Sequence, residues 1–448
     1  MRALVHGLAI TGISTVRALQ RHGYEVVATD DVADDTKLER ALELGVSLAS
    51  LPDGLEQFVA EFDLLSPAPG VPEGHVVIAA ARAAGIPVQS EIELAYRWEQ
   101  RRIGGPRPIL AITGTDGKTT TTELTVAILR AAGVRSEALG NTDVPLVDAL
   151  DSDLDAFVVE CTSFRLAWTE RFRADAAVWL NFAPDHLNWH ESIDTYQAAK
   201  ARIFGLQAPT DVAIGFIDDP IVMGHLDSAP GRRRTFGASG ADYHLAGGVL
   251  MGPDGPIVDT SVMRRRLPHD ITNALAASAL VLETGLATPA AIAEALSTFE
   301  APRHRLEPIG TGGGVEWFND SKATTPHAAS TAIRAFSSLV LIAGGSRKGV
   351  DLSPMAAESH RLRAVVAIGE AAPDIHTIFD GRTTVVDASD MASAVDQAAA
   401  LARPGDAVVL SPGCASFDWY TGYPARGDNF RSLVHDYLGI TSEMETTT

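Results

Sequence analysis

The stretch AITGTDGKTTTTEL, Ala111–Leu124, places glycines at 114 and 117 before Lys118 and a run of threonine hydroxyls. A strand that ends in such a turn and passes into a helix is suited to phosphate. Glycines let backbone N–H groups face the anion, the helix begins with its positive end there, the lysine reaches the β- and γ-phosphates, and the following hydroxyl ligates Mg2+. Gly114 stands closer to Gly117 than the standard P-loop spacing requires. Gly114, Thr115, Asp116, Gly117, Lys118, Thr119 and Thr120 are the expected nucleotide-phosphate contacts, with Thr119 also on the metal. The competing reading is an ordinary strand–helix turn.

Other chemistry-bearing residues follow apolar runs. Glu160 ends DAFVVE, a position suited to an acidic Mg2+ ligand or simply to a solvated acid. His186 lies in PDHLNWH after the next apolar run, and Lys200 in YQAAKARIF reads by pattern as a solvated helix face. Near the start, GLAITG (Gly7, Gly12) approaches the dinucleotide-binding fingerprint, but Ala9 replaces the glycine that admits a pyrophosphate. Asp30 and Asp31 fall about where a ribose-binding acid would stand. A nucleotide-sugar diphosphate fits this turn better than NAD, and a bare structural turn remains open. In NDSKATTPH, Thr325 can cap a helix starting at Pro326, which places Lys322 and Thr324 at a helix N-terminus, a natural seat for a carboxylate.

Positioning these residues takes alternating strands and helices. RALVHG, ISTVRALQRHG and YEVVATDD read as strand, helix, strand; RWEQRRIGGPRP reads as a linker because of its Gly and Pro. PILAITG, DAFVVE, DAAVWLNF and DVAIGFI read as strands of a second segment, closed by the helices ITNALAASALVLETG and TPAAIAEALSTF. VEWFND, SLVLIAGG, AVVAIGE, TTVVDASD and AVVLSPG supply strands of a third. The fold class expected is α/β with mainly parallel sheets in three domains, 1–104, 105–301 and 302–440, with ligands beyond the carboxyl ends of the strands. The tail TSEMETTT reads as frayed.

Bulk properties narrow the class. A chain of 448 residues that is 46% hydrophobic can build several cores, and a net charge of −21 argues against coating nucleic acid. Two distant cysteines, Cys161 and Cys414, form no disulfide framework, and a reducing cytoplasm is expected. The apolar start is broken by Gly7 and Gly12 and is not read as a signal peptide; no apolar run is long enough to span a membrane.

Taken in order, ITGTDGKTTT, GNTDVP, VVECTSFRL, LNFAPDHLNWH, YQAAKARIF, HDITNALAA, PRHRLE, NDSKATTPHAA, GGSRKGVDLS and LSPGCASFDWY resemble the Mur ligases, and NDSKATTPHAA with SPGCASFDWYTGYPARG resembles the D-glutamate-adding branch. The resemblance spans Gly7 to about Phe430. It implies a Rossmann-like UDP-binding domain, a central P-loop ATPase and a Rossmann-like domain bringing the amino acid. It implies an ATP-dependent ligase of peptidoglycan precursor synthesis, serving cell-wall growth, shape and division. ATP phosphorylates the carboxylate of UDP-N-acetylmuramoyl-L-alanine, and the amine of D-glutamate captures the acyl phosphate.

The resemblance also implies roles. Lys118, Glu160, His186 and Lys200 are catalytic, with Thr119, Glu160, His186 and a carbamylated Lys200 around one or two Mg2+ ions. Asn273, Arg305 and Asp320 join the P-loop on ATP; Ile10, Thr11, Asp30, Ser66 and Asn141 contact the UDP substrate; Lys322, Thr324, Lys348, Ser416, Phe417 and Tyr423 surround D-glutamate. Tyr423 stands where the family has another aromatic residue, and the segment after ATDD lacks the family's basic residue. Asp116 replaces a usual Asn, Thr142 and Asp143 a usual Ile-Gly, and Asp270 another Asn, each change bringing polarity or acid near anionic ligands. No nucleic acid or membrane partner is implied, and a monomer is expected. The alternatives are a Mur ligase with other substrates, a folate-type polyglutamate ligase, an oxidoreductase, and a nucleotide switch without ligase chemistry.

Overall fold

A computed structural model describes residues 1–347, 349 and 351–440. The chain separates into two compact units, Met1–Phe299 and Glu300–Thr448.

The first unit holds two sheets. Strands β1 (Arg2–His6), β2 (Glu25–Thr29), β3 (Ser47–Ala49) and β4 (Leu64–Pro67) form a parallel sheet in the order β3-β2-β1-β4. The chain leaves β1 through a tight glycine turn into the helix Ile10–Arg21. Gly7 adopts φ +97° there, and a Cβ on it would lie 2.8 Å from Ala68 Cβ, so the glycine is a packing requirement before it is a ligand-binding device.

The larger sheet comprises β5 (Ile109–Thr113), β6 (Ser136–Gly140), β7 (Ala156–Glu160), β8 (Ala176–Trp179), β9 (Val212–Phe216), β10 (Arg232–Gly237), β11 (Tyr243–Ala246), β12 (Val249–Gly252) and β13 (Gly255–Asp259), ordered β13-β12-β11-β10-β9-β8-β5-β7-β6. It is parallel from β6 to β11 and ends in antiparallel hairpins. Strands β5, β7 and β8 are buried throughout, as parallel strands covered on both faces must be. Alternate residues divide between two cores. Leu110, Ile112, Val158 and Val178 pack with the helices Lys118–Ala131 and Pro268–Glu283. Ile109, Ala111, Phe157, Val159 and Trp179 join the core that also contains Val5, Leu19 and Ile92.

RWEQRRIGGPRP is more firmly held than a linker. Arg97–Glu99 finish the helix Glu91–Glu99, and Arg107 is buried, bonding Glu99 through Nε at 2.9 Å and Nη2 at 2.8 Å. The same guanidinium reaches Leu150 O and Ser152 O and lies over the Phe157 ring. The glycines bend the chain; the buried ion pair fixes the bend.

The second unit contains β14 (Glu307–Gly312), β15 (Val315–Asn319), β16 (Leu339–Gly344), β17 (Leu362–Ile368), β18 (Thr384–Asp387) and β19 (Ala407–Gly413), in the order β14-β15-β19-β16-β17-β18. Among the described residues only β14 runs antiparallel. Its core includes Trp317, Val340, Ile342, Val366, Val408 and Phe430. The fold class is thus α/β with mainly parallel sheets. The reading of TSEMETTT falls outside the described residues.

Candidate active site

The turn after β5 is built as its sequence implies, with a partner the sequence did not single out. Gly117 adopts φ +82°, and a Cβ there would lie 2.8 Å from Asn273 Oδ1. Asn273 is thereby packed against the loop, and its Oδ1 accepts from Thr121 Oγ1 at 3.3 Å. Asn181, following β8, accepts from the Thr115 and Asp116 N–H groups at 3.0 and 2.9 Å and returns a bond from Nδ2 to Asp116 O. Thr115 Oγ1 meets the Tyr196 hydroxyl at 3.1 Å. The loop is therefore held open from outside while the helix Lys118–Ala131 points its N-terminus into it. Lys118 Nζ donates to Gly114 O and Thr115 O at 3.0 and 2.8 Å, and Thr119 and Thr120 occupy the first helical turn.

Glu160 ends β7, next to β5, and is buried. Its Oε1 accepts from Asn141 Nδ2 at 2.8 Å; among the described residues nothing hydrogen-bonds Oε2. A buried carboxylate oxygen without a partner is costly and matches what a hard divalent cation takes as ligand. The Glu160 oxygen therefore fits a Mg2+ ligand; Thr119, the hydroxyl expected beside it, stands in the first helical turn.

Lys200, on the helix Ile193–Gly205, is buried rather than solvated, which corrects the helix-face reading taken from pattern alone. Its Nζ donates to Gly114 O at 2.6 Å and lies over the Tyr196 ring. Burial, then the nearby Lys118 charge, push its pKa well below that of an ordinary lysine, against the pull of Asp185, Asp116 and Glu160. An amine so placed is biased toward its neutral, nucleophilic form, the form that can add CO2. His186 is half-buried at φ +55°, edge-on to Phe164. Burial lowers its pKa, as do Lys118 and Lys200, opposed by Asp185, so the ring is held neutral with a lone pair to offer. Lys118, Glu160, His186 and Lys200 thus fall within one electrostatic neighbourhood.

Arg165 links this neighbourhood to the first sheet. It is buried, donates to Asn141 Oδ1 at 2.9 Å and Thr11 Oγ1 at 3.3 Å, and pairs with Glu91 at 3.1 Å. Thr11 and Asn141, placed together by resemblance, are therefore bridged by one guanidinium. Thr11 and the exposed Ile10 open the helix after β1, Asp30 follows β2, and Ser66 is buried in β4. Asp30 is already engaged: it accepts from Leu8 N–H at 2.9 Å and Lys37 Nζ at 2.6 Å. Burial works to raise its pKa, but these bonds prevail and hold it below the usual carboxylate range.

In the second unit, adjacent strands gather the amino-acid residues. Lys322 and Thr324 follow β15, and Ser416 and Phe417 follow β19, its neighbour. Thr325 caps the helix Pro326–Arg334 as expected, accepting from Ala328 N–H at 3.3 Å. Lys322 Nζ stands 5.3 Å from the Tyr423 ring centre. Ser416 is buried, whereas Phe417 is 65% exposed. Asp320 accepts from Leu306 N–H and Ser411 Oγ at 3.1 and 2.7 Å, and Arg305 is half-buried nearby in sequence to that amide. Lys348 lies outside the described residues. Arg426, which sequence reasoning missed, is buried and bonds Ser321 O, Cys414 O and Ala415 O. Burial holds its pKa down to about 10.

Residues 112–281 match the Mur ligase middle domain, 304–414 the Mur ligase glutamate ligase domain, and 1–90 the MurD-like Mur ligase N-terminal domain. The UDP-N-acetylmuramoylalanine–D-glutamate ligase of Frankia casuarinae is 40% identical, over 96% of this chain and 93% of its own. That of Mycolicibacterium vanbaalenii is 37% identical, over 96% and 97%. The chain belongs to the Mur ligase family. Its fold resembles that of the UDP-N-acetylmuramate-alanine ligase from Thermotoga maritima, with a TM-score of 0.58 at 17% identity over 98% of this chain and 100% of the other. The pseudomurein peptide ligase type C of Methanothermus fervidus gives 0.60 at 16%, over 97% and 99%.

Two of the residues expected to bring polarity or acid near the anionic ligands are engaged within the chain. Asp270 is neutralised by Arg265 in two bonds of 2.8 and 2.6 Å and accepts from Leu267 N–H at 3.0 Å. Thr142 turns its hydroxyl inward to Ala138 O at 2.8 Å. Asp143 remains exposed. Asn181, Arg165 and Arg426 carried no motif of their own; the available signal was their position just after apolar strands or inside the quoted blocks.

Proposed function

We propose that this chain is an ATP-dependent ligase that joins D-glutamate to the lactoyl-L-alanine carboxylate of UDP-N-acetylmuramoyl-L-alanine, acting as a cytoplasmic monomer in peptidoglycan precursor synthesis. Domain limits at 104 and 301 belong to the same reading. The observation that carries it is the unpartnered buried Glu160 oxygen beside the Lys118 loop and the charge-suppressed Lys200.

A carboxylate does not react with an amine at neutral pH, because oxide is a poor leaving group. Transfer of the γ-phosphoryl group to the carboxylate makes phosphate the leaving group, and the amine then forms the amide. Gathering a triphosphate and a carboxylate in one place requires fixed positive charge. Lys118 and the helix N-terminus supply it, with Asn273 at the loop and Arg305 and Asp320 on the nucleotide from the third domain. Thr119, Glu160, His186 and Lys200 as its carbamate would hold Mg2+, which supplies Lewis-acid neutralisation of phosphate charge. Carbamylation converts a buried cation at odds with its site into an anion. Ile10, Thr11, Asp30, Ser66 and Asn141 hold the UDP-sugar, with Arg165 setting Asn141. Lys322, Thr324, Lys348, Ser416, Phe417 and Tyr423 receive D-glutamate, with Lys348 on a carboxylate.

Phosphate release is measured with ATP, Mg2+ and UDP-N-acetylmuramoyl-L-alanine against D-glutamate, L-glutamate, L-lysine and diaminopimelate. Turnover with D-glutamate alone is expected. Turnover with another acceptor alone defeats the stated specificity, and ATP hydrolysis indifferent to acceptor defeats the ligase reading.

A further inference from the structure

At the carboxyl end of the first sheet, three potential metal ligands converge from three separate elements. His6 is the last residue of β1, Asp31 follows β2, and His75 stands immediately before the helix Val76–Ala83. His6 Nε2 lies 3.4 Å and His75 Nε2 3.0 Å from the same oxygen, Asp31 Oδ1, and the three donor atoms all lie within 4.8 Å of one another. The imidazole rings are 4.7 Å apart and inclined by 34°. We propose that His6, Asp31 and His75 form a binding site for a divalent transition metal of the zinc class, separate from the Mg2+ site at Glu160.

Metal–ligand bonds of about 2.0–2.2 Å in a tetrahedral site put neighbouring donors roughly 3.4 Å apart. The two distances to Asp31 are already close to that separation. Two imidazoles with one carboxylate are a borderline-soft set, preferred by zinc and its neighbours over magnesium. The supporting contacts suit it as well. The buried His6 ring meets Thr29 Oγ1 through Nδ1 at 2.9 Å, so a proton on Nδ1 fixes the ring and turns the Nε2 lone pair toward Asp31. His75 Nδ1 accepts from Val77 N–H at 3.3 Å. Coordination through Nε2 moves that ring's proton to Nδ1 and gives up this single long bond. Asp30 next door is occupied by Lys37, so Asp31 is the carboxylate left to serve. Three protein ligands leave a fourth position for water or another small donor. Asp31 is 56% exposed, which gives the ion a way in.

The test is titration of the full-length chain with Co2+ in excess Mg2+, read by the visible absorption of four-coordinate cobalt. One equivalent is expected to develop the bands, and Zn2+ to bleach them. D31N and H75Q should each weaken binding at least about 10-fold. T29V, which leaves the three ligands in place, should weaken it about 10- to 100-fold, the range for loss of a supporting hydrogen bond to a ligand. E160Q should leave the bands unchanged. Far-UV circular dichroism confirms that each variant is folded. No bands, bands of equal affinity in D31N and H75Q, or bands abolished by E160Q would each overturn the proposal.

Discussion

The environment of Lys200 disfavours its charge. Its folded-state pKa is depressed, so between the folded and unfolded values the unfolded chain binds more protons. Stability must therefore rise with pH through that window, and the penalty is fully present below it. Lys200→Met, melted without CO2 or metal, should raise the melting temperature at neutral pH and flatten its pH dependence; assayed separately with Mg2+ and bicarbonate, its ligation should fall about 100- to 1,000-fold, the scale of losing one electrostatic stabiliser. A melting temperature lowered at neutral pH would refute the charge-suppressed lysine. Glu160→Gln keeps the bond partner for Asn141 but removes the anion, so the Mg2+ concentration needed for phosphate release should rise steeply. Unchanged Mg2+ dependence would remove Glu160 from the metal set.

Strand–helix junctions do most of the positioning. Gly117 combines a left-handed backbone with a close approach to Asn273. Gly117→Ala should cost about 1–2 kcal/mol in backbone conformation alone and weaken ATP binding by displacing Asn273; equilibrium unfolding and nucleotide titration read the two effects separately. The bend after the helix Glu91–Glu99 depends on the Arg107–Glu99 pair, 2.8 Å apart and almost wholly buried. Arg107→Ala strands a buried carboxylate and should cost about 3–5 kcal/mol. A loss under 1 kcal/mol in urea unfolding would mean that water or another cation relieves Glu99.

Two compact units with separate cores make the whole molecule a poor two-state unfolder. The calorimetric enthalpy should exceed the van't Hoff enthalpy, and Mg2+ with a non-hydrolysable ATP analogue should shift the transition of the unit bearing Lys118. Equality of the two enthalpies would show one cooperative block. No helix among the described residues is long and apolar enough to cross a membrane.

The sequence alone determined the alternation of elements and the loops on which the chemistry sits. Parallel strands buried on both faces must be apolar runs, and the polar residue that ends a run, or opens the helix after its turn, emerges at the carboxyl edge; the placement of Glu160 and Lys118 was legible for that reason. Strand β10 and the hairpins from β11 to β13 were not; RRRTFG, the β10 sequence, is a run of charge until Glu283 is brought to Arg232 and Arg234. Only the tertiary structure buried Lys200, set Asn181 against the P-loop, made Arg165 a bridge between two sheets and assembled His6, Asp31 and His75. Local pattern encodes which face a residue occupies. Desolvation and long-range hydrogen bonds, which decide whether a charge is suppressed or a side chain becomes a ligand, depend on elements far apart in the chain.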